Sequence, residues 1–127
     1  MASDEHQTMV KAAIDYFTSK GFQILHADYT GYSECPAIGR HAPDVIALDS
    51  RTGIHYVSEI ETCESLHDDD TKEQFEDFST HATENGRGRL IQFHPLVPSS
   101  CYDELIQVLR ELGVYPRDNV HPLKYNR

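Results

Sequence analysis

Pro43-Asp44-Val45-Ile46-Ala47-Leu48, the turn Asp49-Ser50-Arg51-Thr52-Gly53, and the return Ile54-His55-Tyr56-Val57-Ser58-Glu59-Ile60-Glu61 decide how this chain is read. Residues 44–48 form a short, nearly all-apolar run, which suits a strand buried on both faces. Residues 49–53 have turn chemistry, and residues 54–61 return as the next strand, so the stretch is a hairpin. Side chains two apart on a strand share a face. Glu59 and Glu61 therefore project together, while Ile60 turns the other way into apolar packing. Asp44 opens the neighbouring strand, where cross-strand Cβ atoms stand about 4.5–5.5 Å apart, or about 7–8 Å on the diagonal. Three carboxylates this close repel one another unless a cation neutralises them. Hard oxygen ligands suit Mg²⁺ or Mn²⁺, ions that polarise a phosphoryl oxygen and lower the pKa of an attacking water.

On the N-terminal side, Val10, Ala13, Ile14 and Phe17 follow the i, i+3, i+4, i+7 spacing of a buried helical stripe. This predicts a helix over residues 5–20, with Asp4 and Gln7 as a capping box and Gly21 as its stop, from which Phe22 folds back toward Phe17. Residues 22–29 read as a strand and residues 30–43, with Gly31, Pro36, Gly39 and Pro43, as a loop. On the C-terminal side, Thr71 with Gln74 reads as a second capping box. Phe75, Phe78 and Ala82 give that helix its stripe before Asn85-Gly86 ends it. Residues 89–94 read as a strand stopped by Pro95. Ser100 with Asp103 opens a last helix whose Leu105, Ile106, Leu109 and Leu112 face the core, with Gly113 as its cap. The predicted order is α-β-β-β-α-β-α in one α/β domain over residues 1–115, with a mixed central sheet flanked by helices. Residues 116–127 are expected to form an irregular tail.

The 127 residues suit a single core, and 39% hydrophobic content offsets the entropy of ordering it. No run approaches the roughly 20 apolar residues that span a bilayer, and the opening MASDEHQTM lacks the parts of a signal peptide, so a soluble, cytoplasmic protein without membrane contact is expected. Cys35, Cys63 and Cys101 show no CxxC spacing and read as ordinary reduced thiols. His26, His41, His55, His67, His81, His94 and His121 are scattered without zinc-site spacing. The net charge of −10 weighs against a broad basic surface for nucleic acid. Much of that charge is local: Glu64, Asp68, Asp69, Asp70, Glu73, Glu76 and Asp77 face only Lys72 in their stretch.

Pro43-Asp44, followed after a hairpin by Glu59-Ile60-Glu61, resembles the PD-(D/E)xK motif of restriction-endonuclease-like nucleases, and the element order over about residues 5–113 is similar to that family's core. The resemblance implies metal-dependent cleavage of DNA or RNA, with Asp44 and Glu59 as ligands of Mg²⁺ or Mn²⁺, and a family that often works as dimers on duplexes. Glu61 stands where the motif usually ends in lysine, which resembles the glutamate variant of some type II restriction enzymes. Many relatives carry a glutamate on the first helix; here Val10 occupies that position and Glu5 is a distant substitute. The following helix, with Lys72 and Gln74, is similar to the one whose polar residues line the family's site.

The expected catalytic set is thus Asp44, Glu59, Glu61, Lys72 and Gln74, with Asp44, Glu59 and Glu61 on the metal. Arg40, His41, Arg87 and Arg89 are the candidate nucleic-acid contacts. Two further readings stay open beside an endonuclease: a catalytically inactive scaffold that binds or regulates a partner, and a subunit of a larger complex whose basic partner holds the nucleic acid.

Overall fold

The stripe spaced along the first helix is buried as its period predicts. In the computed structural model, which describes residues 4–81 and 89–126, α1 (Asp4–Ser19) buries Met9, Val10, Ala13, Ile14 and Phe17. Gly21 takes φ +84°, and the Phe22 N–H donates to the Phe17 carbonyl at 3.1 Å. The chain thereby reverses into β1 (Gln23–Ala27). β2 (Val45–Asp49) and β3 (Ile54–Ile60) form the expected antiparallel hairpin, in register from Val45↔Ser58 to Asp49↔Ile54. β1 lies antiparallel on the other side of β2. After α2 (Asp69–Thr80), β4 (Gln92–Pro98) runs parallel to β3. A 3₁₀ turn (Ser99–Cys101) leads into α3 (Tyr102–Glu111). Among the described residues the sheet is mixed and five-stranded, in the order β1-β2-β3-β4-β5, where β5 is Leu123–Tyr125.

Strand alternation splits the core in two. Val45, Ala47, Ile60 and Leu96 pack under α1. Ile46, Val57 and Phe93 turn to the opposite face, against Phe75 and Phe78 of α2 and Leu105, Val108 and Leu109 of α3. Phe75 and Phe78 each place their rings 5.7 Å from that of Phe93, and burying one such side chain is worth about 1.5–3 kcal/mol. The burial on both faces explains why residues 44–48 read as a continuous apolar run.

Several local expectations are corrected. Asp4 lies inside the first turn of α1, where Thr8 donates to its carbonyl, and is not the cap ahead of it. α2 already begins at Asp69, so Thr71 with Gln74 is no capping box; the Thr71 hydroxyl donates to the Ser65 carbonyl instead. Ala82 and Asn85-Gly86 lie outside the described residues. Ser100 belongs to the 3₁₀ turn and does not cap α3.

Pro95 does not stop β4, which continues to Pro98. Phe93 directs its N–H to Asn119 and its carbonyl to the His121 N–H. By alternation Pro95 turns its nitrogen to that same side, where β5 pairs only from Leu96 onward. The missing donor leaves the β3 ladder intact. The tail expected to be irregular supplies β5, and the Asn119 amide within it donates to the Ser79 and Ile91 carbonyls.

Cys63 and Cys101 are joined in a disulfide, contrary to the reading of all three cysteines as thiols. Parallel pairing explains it: β3 and β4 end side by side, and the segments that leave them bring the two Cα atoms to 5.7 Å across 38 residues of sequence. Among the described residues no helix is long and apolar enough to cross a membrane.

Candidate functional site

The hairpin register delivers the acids to one place. The Asp44 N–H donates to the Ser58 carbonyl at 3.1 Å, which sets Asp44 beside Glu59 at the end of β3. The Asp44 carboxylate then accepts the Ile60 N–H at 2.8 Å, and its charge acts on the neighbouring Glu59 carboxyl. Both are buried, at 9% exposure for Asp44 and 4% for Glu59.

Glu61, two residues on, accepts the Ser65 hydroxyl from the segment that follows β3. Only one orientation of the Gln74 amide satisfies both of its ends, and in it the nitrogen donates to Glu59 at 3.1 Å and to Glu61 at 3.3 Å. The site is therefore built from both strands of the hairpin and closed by α2. The structure brings together Asp44, Glu59, Glu61 and Gln74.

Protonation follows from this crowding. Burial, and next the charge on Asp44, push Glu59 well above the usual carboxylate range. Burial also raises Glu61 to about 7, against the pull of the Ser65 hydroxyl. For Asp44 burial is outweighed by hydrogen bonds from His6, Glu59 and Ile60, which hold it below the usual range. The surroundings thus favour the ionised form of Asp44 and the neutral form of Glu59.

His6 and Asp28 belong to the same neighbourhood, although the sequence reading left both out. His6 Nε2 lies 3.4 Å from Asp44 Oδ2, and the hydrogen bond to Asp44 raises the imidazole pKa. His6, Asp28 and Asp44 each offer one ligand atom, and these atoms lie within 4.8 Å of one another. The signal for His6 was its place on the buried stripe of α1, three residues before Met9 and four before Val10. Asp28 had none, because it approaches Asp44 through β1–β2 pairing. A cavity of about 200 Å³ opens beside this group, lined by Asp28, Glu34, Cys35, Ala42, Pro43 and Asp44. Burial, with the charges of Asp44 and Asp28, pushes the Cys35 thiol up to about 12, which makes it no nucleophile at neutral pH.

Other expected residues stand elsewhere. Lys72 is two residues before Gln74, about 200° round the helix, and no hydrogen bond or ion pair joins it to the acids among the described residues. Arg40 pairs with Glu73 and Asp77, and His41 Nδ1 lies 2.8 Å from Asp77. Acidic side chains of α2 thus engage both candidates. Arg89 donates to the Thr52 carbonyl at the opposite end of β3, and Arg87 lies outside the described residues.

No family model, curated protein or solved structure matches this chain.

Proposed function

We propose that this protein is a metal-dependent nuclease of the PD-(D/E)xK kind, hydrolysing phosphodiester bonds of DNA or RNA with Mg²⁺ or Mn²⁺ held by Asp44, Glu59 and Glu61. The observation that carries the reading is the convergence of those three carboxyls and Gln74 at the end of one hairpin. The order of helices and strands around that hairpin supports a restriction-endonuclease-like core. Burial fits a cation too, since carboxylates withdrawn from water are costly without a compensating charge.

A bound divalent ion supplies Lewis-acid polarisation of a phosphoryl oxygen and a more acidic water. Asp44 presents the ionised oxygen, positioned by the Ile60 N–H. Gln74 holds Glu59 and Glu61 in fixed rotamers, as a preorganised site requires. Glu61, whose carboxyl burial raises to about 7, accepts the proton of the attacking water. The test is incubation of the protein with labelled single- and double-stranded DNA and RNA in Mg²⁺ and in Mn²⁺. Cleavage by wild type that is lost in Asp44→Ala is expected; no cleavage, or equal cleavage by the variant, removes the reading.

A second reading is favoured by one observation: Arg40 and His41 are committed to α2 acids, and the net charge is −10. In it the scaffold is inactive, or is a subunit whose basic partner holds the nucleic acid. Saturable cation uptake without cleavage, together with a basic protein that co-purifies, is its signature.

A further inference from the structure

We infer that His6, Asp28 and Asp44 form a cation site selective for first-row transition metals such as Mn²⁺ over Mg²⁺. It deepens the nuclease reading by sharing Asp44 with it, yet it stands on different residues and on a different metal chemistry.

Three elements converge on it. His6 comes from the buried face of α1, Asp28 from the end of β1, and Asp44 from the start of β2. The donor atoms lie within 4.8 Å of one another; at a metal–ligand distance of about 2.0–2.2 Å trans ligands stand about 4.0–4.4 Å apart, so small side-chain rotations bring the three onto one ion. The backbone fixes their spacing: the Asp28 N–H donates to the Asp44 carbonyl at 2.8 Å, and the Gln7 side chain donates to the Asp28 carbonyl at 3.1 Å. Asp28 is thereby tied at its N–H to β2 and at its carbonyl to α1, the helix that carries His6. The cavity of about 200 Å³ lies against Asp28 and Asp44, leaving room for the waters that complete a coordination shell.

The metal preference follows from the donors. Mg²⁺ takes oxygen ligands almost exclusively, whereas a mixed nitrogen–oxygen site binds the first-row divalent ions in an order that rises from Mn²⁺ through Fe²⁺, Co²⁺ and Ni²⁺. A site with one nitrogen and two carboxylates therefore discriminates where an all-carboxylate site does not. Glu34 lines the same cavity beside Asp28 and Asp44.

The experiment titrates metal-stripped protein with MnCl₂ and with MgCl₂ by calorimetry, and records the pulsed EPR spectrum of bound Mn²⁺. Wild type is expected to bind Mn²⁺ at least about tenfold more tightly than Mg²⁺, with a nitrogen coupling from the imidazole. In His6→Gln that coupling disappears and the preference collapses. Asp28→Asn, an exposed position whose change spares the core, weakens Mn²⁺ by about tenfold or more, so a folding failure of His6→Gln leaves the test intact. Wild type without Mn²⁺ preference, a surviving nitrogen coupling in folded His6→Gln, or unchanged Mn²⁺ affinity in Asp28→Asn each overturns the proposal. Nitrogen-coupled Mn²⁺ without nucleic-acid cleavage would instead sink the nuclease reading and leave this site standing.

Discussion

The Asp44 carboxylate accepts the Ile60 N–H at 2.8 Å, so the acid that opens β2 is tied to the one residue between Glu59 and Glu61. An asparagine at position 44 keeps an oxygen for that N–H and offers an amide to Glu59, while alanine leaves the N–H buried without a partner. Asp44→Asn is therefore expected within about 1 kcal/mol of wild-type stability, and Asp44→Ala to lose about 1–3 kcal/mol. Urea unfolding in EDTA measures both. Equal stabilities would mean that the bond to Ile60 contributes nothing.

Gln74 gives a second test, because its amide bridges Glu59 and Glu61. Gln74→Glu replaces the donor with a fourth carboxyl, which lowers the melting temperature of metal-free protein and enlarges its rise on adding Mn²⁺. Gln74→Leu loses about 1–2 kcal/mol with no such enlargement. Thermal melts with and without MnCl₂ separate them, and a Gln74→Glu protein indifferent to metal would argue against a cation among these acids.

The hairpin and its acids were legible in the sequence because they depend on local rules. Period-two alternation put Glu59 and Glu61 on one face, and the apolar run after Asp44 marked a central strand. The features that escaped depend on pairing between distant segments. Asp28 meets Asp44 only through β1–β2 register, and Cys63 meets Cys101 only because two parallel strands end together. Pro95 looked like a stop, since nothing in the sequence says that its nitrogen faces away from β3, into the gap between the Phe93–Val120 bridge and the start of β5 pairing. Arg40 and His41 looked like phosphate contacts until the acidic face of α2 proved to be their partner.

The Cys63–Cys101 link closes a loop across 38 residues, for which chain entropy gives roughly 4 kcal/mol of stabilisation. It also anchors the segment whose Ser65 hydroxyl binds Glu61. Reduction with dithiothreitol is expected to lower the unfolding free energy obtained from urea curves by about that amount, and Cys63→Ser/Cys101→Ser to reproduce the loss. Unfolding curves that coincide in oxidised and reduced protein would show the link to be energetically idle.

His94 supplies the pH prediction. It is buried on β4 with its ring against Tyr16, Phe17, Tyr56 and His121, and burial, with His121 charge as a lesser cause, lowers its pKa to about 3. In the unfolded chain histidine titrates near about 6.5, so between these values the unfolded state holds the extra proton. The neutral ring's stability is therefore complete above about pH 6.5 and is lost as pH falls toward 3. Glu59 and Glu61, raised in the fold, work in the opposite direction, so the wild type alone does not isolate the effect. The difference between wild type and His94→Leu does: it should shift against wild type by up to about 1.4 kcal/mol per pH unit between pH 6 and 4. A difference that stays flat across that range would mean that His94 is already protonated in the folded protein, or reaches water by a route its packing against Tyr16 and Tyr56 does not provide.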